Sequence, residues 1–321
     1  MTSNIDNTLE PHFGETVGSV GYTGRQSTHN VNNQGTKFEI DLALGLYETV
    51  TNNNQPTNEY YLLTKQLIDV VRERNPSPII RIEETDNKNE KRPFIMKNGK
   101  LVIFPGNPVE VGKIISDTTI YHEDGTETYI SAKSGSTVTF VNTGVKGPGK
   151  PFPENEVKSG KIKNEMGENL LSVLGIDGEI FCNVFNLYGT GKKATGRSSH
   201  IVDVTDKVNI SSLTSLLRSA IGANYWMVHN QGDGKAYCWW IGEEENEKYA
   251  NIQDSKFELY YGGSSGTAKR IDMKFSNPYF DFKINIRNKQ RGVSPTHIML
   301  DYVSKPATGK KMFGGIGDDE N

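Results

Sequence analysis

Apolar residues spaced three and four apart open the first recognisable element of the chain. Phe38, Leu42, Leu46 and Val50 mark one stripe, with Ala43 and Tyr47 beside it, and the spacing predicts a helix over 36–50. Leu62, Leu63, Leu67, Val70 and Val71 predict a second helix over 58–74, which Pro76 and Pro78 close. The charged run 83–92 reads as a solvated loop. Strand patterns follow at 101–104, 113–122, 128–133 and 137–142, then a Gly/Pro/Lys-rich loop over 144–160. A helix over 163–174 with Gly175 as its C-terminal cap precedes a strand over 180–188. Helix, strands, helix and strand in this order predict a mixed α/β unit.

The pattern continues with a helix over 211–221 stopped by Gly222. A hairpin of 225–229 and 235–241 turns around 231–234, and strands are expected at 256–261, 270–275, 280–286 and 297–302. Residues 1–35, rich in Gly, Asn, Ser and Thr, read as a flexible arm. The α/β core then spans 36–190, an α+β region 191–305, and a mobile, Gly-rich and acidic tail 306–321.

The length of 321 residues is ample for a buried core, and 35% hydrophobic with 23% charged residues excludes a coiled coil and argues against wholesale disorder. No apolar run approaches the ~20 residues needed to cross a bilayer, so no membrane association is expected. The first residues lack the basic and apolar regions of a secretion signal. The two cysteines, Cys182 and Cys238, sit in apolar stretches and read as buried thiols, which points to a reducing, cytoplasmic setting. The six histidines show no metal-ligand spacing with one another or with cysteine, so a zinc site is not expected. The net charge of −3 does not itself point to nucleic acid.

Candidate chemistry concentrates in 116–133, two strands around a turn. Ser131 and Lys133 are two apart and share a face. A two-residue Asp124-Gly125 turn would put Asp117 opposite Ala132, on the other face. A three-residue loop, Glu123-Asp124-Gly125, pairs His122 with Thr126 and puts Asp117 opposite Ser131, beside Lys133. Such loops want a left-handed residue last, and Gly125 supplies it, so this register is expected.

Asp117 on one strand and Ser131-Ala132-Lys133 on the next resemble the core of the PD-(D/E)XK, or restriction-endonuclease-like, nuclease superfamily, with Ser131 in place of the acid before the lysine. The resemblance implies a mixed sheet flanked by helices. It implies Mg²⁺ held by Asp117, by Glu39 from the first helix and by the Ala132 carbonyl, with Lys133 positioning water or stabilising the crowded phosphorane. It further implies DNA as partner, phosphodiester hydrolysis as activity and pairing as a homodimer. Thr36-Lys-Phe-Glu39 also fits a capping box, which gives Glu39 a second, structural reading.

Two basic stretches could touch a phosphate backbone. Lys192, Lys193 and Arg197 lie in a Gly-rich loop lacking the Ser/Thr of a Walker motif. Over 269–291, Lys269, Arg270, Lys274, Lys283, Arg287, Lys289 and Arg291 stand against Asp272 and Asp281, a net of +5, with Phe275, Tyr279, Phe280 and Phe282 interleaved. Strand alternation with one charged face gives the same pattern. The sequence therefore supports two readings: a Mg²⁺-dependent DNA endonuclease, or a non-catalytic binding or structural protein, such as a virus-assembly component or a degenerate nuclease fold.

Overall fold

The computed structural model describes residues 20–28, 31–51, 59–85, 92–136, 138–144, 165–178, 180–181, 201–261, 270–287 and 297–314. The elements are β1 (Gly21–Thr23), α1 (Gln34–Thr51), α2 (Tyr61–Arg74), β2 (Ile79–Glu84), β3 (Phe94–Lys97), β4 (Lys100–Ile103), α3 (Pro108–Ile114), β5 (Thr118–His122), β6 (Glu127–Ser134), β7 (Val138–Gly144) and α4 (Glu165–Val173). They continue as β8 (Ile201–Asp203), α5 (Ile210–Ile221), β9 (Tyr225–Gly232), β10 (Lys235–Ile241), α6 (Glu243–Tyr249), β11 (Glu258–Tyr261), β12 (Arg270–Ser276), β13 (Phe280–Arg287), β14 (His297–Ser304) and β15 (Lys311–Phe313).

A seven-stranded mixed sheet has the order β1-β2-β5-β6-β9-β10-β15, and a six-stranded antiparallel sheet has the order β7-β14-β13-β12-β11-β8. In the first, β6 and β9 run parallel and α5 lies on the connection between them. The expected α/β class holds. The expected boundary at 190/191 separates neither sheet: β9, β10 and β15 complete the first, while β7 from the N-terminal half edges the second. Helices cover one face of the mixed sheet, the other face is apolar along β9 and β10, and distant parts of the chain supply a layer on each side.

On one face Phe38, Leu42 and Leu46 of α1 and Leu63, Leu67 and Val71 of α2 pack on Ile82, Ile120, Ile130, Ala132, Val228 and Cys238. On the other, Tyr225, Met227, Trp239 and Ile241 meet α5 and the inward residues of the second sheet, including Phe280, Phe282, Ile284 and Tyr302. Strict alternation along β13 sends Phe280, Phe282, Ile284 and Ile286 to this core. The sheets touch directly where the Tyr302 hydroxyl lies 3.5 Å from Met227 Sδ.

Several elements differ from the sequence reading. Asn33, not Thr36, begins α1: its Oδ1 accepts the Thr36 N–H at 3.2 Å and its carbonyl the Lys37 N–H at 2.9 Å, so Glu39 lies in the second turn rather than in a capping box. Residues 79–84 form a strand although its end is acidic. Glu84 is neutralised by Arg25, whose Nε donates at 2.7 Å and whose backbone N–H donates at 2.8 Å. The span 113–122 divides into α3, capped by Asn107 with Pro108 first, and β5. Gly112 sits there because a Cβ would lie 1.9 Å from the Ala223 carbonyl oxygen. Ile180 and Phe181 are helical rather than extended, Phe181 N–H bonding the Asp177 carbonyl at 2.9 Å; the rest of 180–188 lies outside the described residues. Gly175 does cap α4, at φ +65°. The tail is ordered through β15, which pairs with β10. Residues 21–23 of the expected arm pair with β2.

The C-terminus of α5 is buried between these layers, so its free carbonyls need donors. Arg92 Nη2 donates to Ser219 and Ala220 at 2.8 and 3.2 Å, the Tyr225 hydroxyl to Ile221 at 2.8 Å, and Asn246 Nδ2 to Arg218 and Gly222 at 2.9 and 2.8 Å. Burial lowers the Arg92 pKa to about 10, so it stays cationic at neutral pH and faces the negative end of the helix dipole. Arg92→Met leaves two carbonyls without their donor. It is expected to lower unfolding free energy by about 2–4 kcal/mol in urea titration, and an unchanged midpoint would refute this role.

Candidate functional site

The β5–β6 hairpin takes the three-residue loop. Thr118 pairs with Ile130 and Tyr121 with Glu127, a register that sets Asp117 against Ser131. The His122 N–H bonds the Thr126 carbonyl at 3.0 Å and the Gly125 N–H bonds the His122 carbonyl at 3.0 Å; Gly125 has φ +80°. His122 is buried, with Nδ1 3.0 Å from the Ser77 carbonyl and Nε2 2.9 Å from Thr128 Oγ1, and so it ties the hairpin to the start of β2.

This register brings three of the expected residues together. Asp117 Oδ2 accepts from Ser131 Oγ at 3.2 Å and from the Ala132 N–H at 2.7 Å, and lies 3.5 Å from Lys133 Nζ. Ser131 is fully buried, whereas the Asp117 and Lys133 side chains retain 21% and 24% of their exposure and stay within reach of a solute. Among the described residues, Asp117 Oδ1 makes no hydrogen bond.

Glu39 belongs to a different layer. Its helix packs on the face from which Ile130 and Ala132 project, while Ser131 and Lys133 project from the other, beside their register partners Met227 and His229. The structure thus puts the helix of the expected second acid across the sheet from the pair. Glu127, another acid on β6, is committed to Lys113, whose Nζ lies at 2.8 Å, and to the Tyr129 hydroxyl. Among the described residues, no group of three or more His, Cys, Asp or Glu side chains converges as a metal site.

The basic stretches fare unevenly. Lys192, Lys193, Arg197, Lys269, Lys289 and Arg291 lie outside the described residues. Arg270 and Arg287 are register partners on β12 and β13, as are Lys274 and Lys283. Lys274 is exposed, with its Nζ 4.8 Å from the Tyr260 ring centroid. Lys283 is committed to Asp301 of β14 at 3.0 Å. Asp272 and Asp301 are buried on this same face, so it is mixed in charge; a local count along 269–291 omits Asp301 because a neighbouring strand supplies it.

Sequence reasoning missed a second cluster. A cavity of about 590 Å³ lies where the end of β6, the β9–β10 hairpin and the β14–β15 connection meet, and its walls include His229, Tyr237, Ser304 and Lys310. His229 follows Lys133 across the parallel β6–β9 ladder. Its Nε2 lies 2.9 Å from the Gly135 carbonyl, the geometry of an Nε2–H donor. Burial lowers the His229 pKa, and the ammonium groups of Lys310 and Lys133 act in the same direction against the Gly135 carbonyl. The hydrophobic pattern gave no signal for this cluster, because His229 and Lys310 are 81 positions apart and tertiary pairing such as β10 with β15 brings their segments together. No protein family, curated protein or solved structure matches the chain. Among the described residues no helix is long and apolar enough to cross a membrane.

The His229 imidazole is expected to titrate below the ordinary value of about 6.5 in a ¹H–¹⁵N NMR titration, and Lys310→Gln should move its midpoint upward. A midpoint at or above that value would contradict the arrangement.

Proposed function

We propose that this protein is a Mg²⁺-dependent DNA endonuclease that hydrolyses phosphodiester bonds with water. The observation that carries the reading is the meeting of Asp117, Ser131 and Lys133 on adjoining strands, within 3.5 Å of one carboxylate oxygen. A mixed sheet with helices packed on it, Asp117 immediately before one strand and Lys133 near the end of the next, is consistent with the restriction-endonuclease-like resemblance.

The donors present suit the cation. Mg²⁺ commonly takes one or two carboxylates, keeps several waters and completes its shell with substrate phosphate. Asp117 through Oδ1, with the Ala132 carbonyl, would hold it, and Glu39 is not required. When bound, the cation supplies neutralisation of the phosphate and acidification of water. The donors on Asp117 Oδ2 fix the carboxylate, so that Oδ1 is presented in one orientation. Lys133 places an ammonium where a phosphorane gathers negative charge, and electrostatic stabilisation of that kind accounts for ~10²–10³ in rate per donor.

The purified chain is expected to nick or linearise plasmid in Mg²⁺ or Mn²⁺. Asp117→Ala and Lys133→Ala should each lower the rate at least about 100-fold while leaving the circular dichroism spectrum unchanged. Full activity in both variants would overturn the assignment.

A second reading, a non-catalytic binding protein on a degenerate nuclease fold, is favoured by one feature. Ser131 stands where the resemblance has an acid, which leaves a single carboxylate at the pair. DNA binding by wild type without cleavage in either metal would establish it. Ser131→Asp separates the readings further. A second buried carboxylate beside Asp117 should lower thermal stability without divalent ions, and Mg²⁺ should restore more of it than it adds to wild type. Absence of any Mg²⁺-dependent recovery in a thermal melt would argue against a cation site at this position.

A further inference from the structure

We propose that the cavity walled by His229 and Lys310 is a phosphate-binding site, taking the phosphate group of a nucleic-acid strand or of a free nucleotide. The site goes beyond the cutting reading and does not depend on it, because none of its walls is Asp117 or Lys133.

Charge is the first ground. Among the described lining residues there are two potential cations, His229 and Lys310, and no Asp or Glu. Lys310 is half-buried, and its Nζ donates to the Ser304 carbonyl at 2.7 Å and to Ser304 Oγ at 3.0 Å, both neutral acceptors. It also lies 4.4 Å from the Tyr237 ring centroid. These contacts hold the ammonium in place without neutralising it. Burial lowers its pKa, so it lacks the solvation of a surface lysine. An anion entering the cavity would restore what burial removed, and charge-assisted hydrogen bonds are the strong kind.

Shape is the second ground. The volume of about 590 Å³ lies in the ordinary range for small-ligand sites. Gly135 and Gly232 both have positive φ, and a Cβ at either would meet nothing within 4 Å, so a bulky anion can approach the backbone closely. Ser134, Ser136 and Asn230 add polar groups to the same walls. Bonding of His229 Nε2–H to the Gly135 carbonyl leaves Nδ1 as the imidazole nitrogen that gains a proton beside an anion. His229 is also the cross-strand partner of Lys133, so a phosphate here would lie one strand away from the Asp117–Lys133 pair. A nucleic-acid strand engaged at that pair could therefore place a neighbouring phosphate in the cavity.

The test uses the full chain in EDTA, where metal-dependent cleavage cannot intervene. Its probes are inorganic phosphate, thymidine 5′-monophosphate and a fluorescent single-stranded 12-mer oligodeoxynucleotide. Phosphate or the mononucleotide should shift the His229 imidazole resonances. Lys310→Gln should weaken binding of the phosphate-bearing probes by about tenfold or more, whereas Lys310→Arg keeps most of it. Lys207→Gln, an exposed lysine away from the cavity, is the control for general charge loss. Thermal melts check that each variant is folded, and His229→Gln supplies an independent variant should Lys310→Gln fail that check.

Comparable affinity for the mononucleotide and the 12-mer identifies the free nucleotide as the source. Binding of the 12-mer alone identifies the strand. Unperturbed His229 resonances with all three probes overturn the site, as does equal loss of affinity in Lys310→Gln and Lys207→Gln. Plasmid cleavage in Mg²⁺ is scored separately, so failure of this site and failure of the endonuclease reading are distinguishable.

Discussion

The register of the β5–β6 hairpin is the constraint on which the candidate site rests. A strand has a side-chain period of two, so a slip of one residue exchanges the faces of every side chain beyond the turn. With the three-residue loop, Ile120, Ile130 and Ala132 reach the helical layer while Ser131 and Lys133 reach the opposite face, where Asp117 meets them. With a two-residue loop, Asp117 would oppose Ala132. Gly125 at φ +80° and His122, held between Ser77 and Thr128, select the first arrangement. Core packing and the polar cluster therefore agree on one register, and neither can be satisfied without the other.

The same economy governs the larger architecture. α1 and α2 cover one face of the mixed sheet, and the other face is apolar along β9 and β10. The second sheet and α5 cover that face, which buries the last turn of α5. Unpaired carbonyls in such a place each cost about 1–3 kcal/mol. Arg92, Tyr225 and Asn246 come from three different segments to meet them. This shared helix end explains why the two halves of the sequence do not form separate sheets: the interior that joins them contains polar groups that only the combined chain satisfies.

The sequence made long periodic elements legible and left those fixed by distant partners obscure. The stripes of α1, α2 and α5, and the alternation of β12 to β14, depend on local spacing and read directly. So did the hairpin register, because one glycine decides the turn. β2 was hidden because Glu84 at its acidic end is stabilised by Arg25, 59 positions away, a pairing invisible along the chain. α6 was hidden because it is short and polar; its first turn holds three glutamates, and Glu245 accepts the Gly242 N–H at 3.0 Å. β15 was hidden because three residues in a Gly-rich tail acquire meaning only when β10 pairs with them. At the site, Asp117, Ser131 and Lys133 were accessible to strand arithmetic. The layer of Glu39 was not, since it depends on which face of the sheet receives α1.

Charge pairing elsewhere in the molecule gives the cavity its significance. Arg25 meets Glu84, Arg81 meets Glu83, Lys113 meets Glu127, Lys283 meets Asp301 and Lys305 meets Asp281. Arg92 faces a helix C-terminus, and Lys133 stands beside Asp117. In a chain with 39 acidic and 36 basic residues, acids are available to neutralise any cation that is drawn inward. Lys310 instead bonds two oxygens of Ser304, and His229 bonds a backbone carbonyl. Withdrawing an ammonium from water costs free energy that neutral acceptors only partly offset. The residual positive potential is directed into an open cavity, where a counter-ion from solution can complete it, and that distinguishes it from the paired cations of the second sheet. The basic count along 269–291 is partly cancelled within the fold, whereas Lys310, with the protonatable His229 on the same cavity wall, retains its capacity for an external anion.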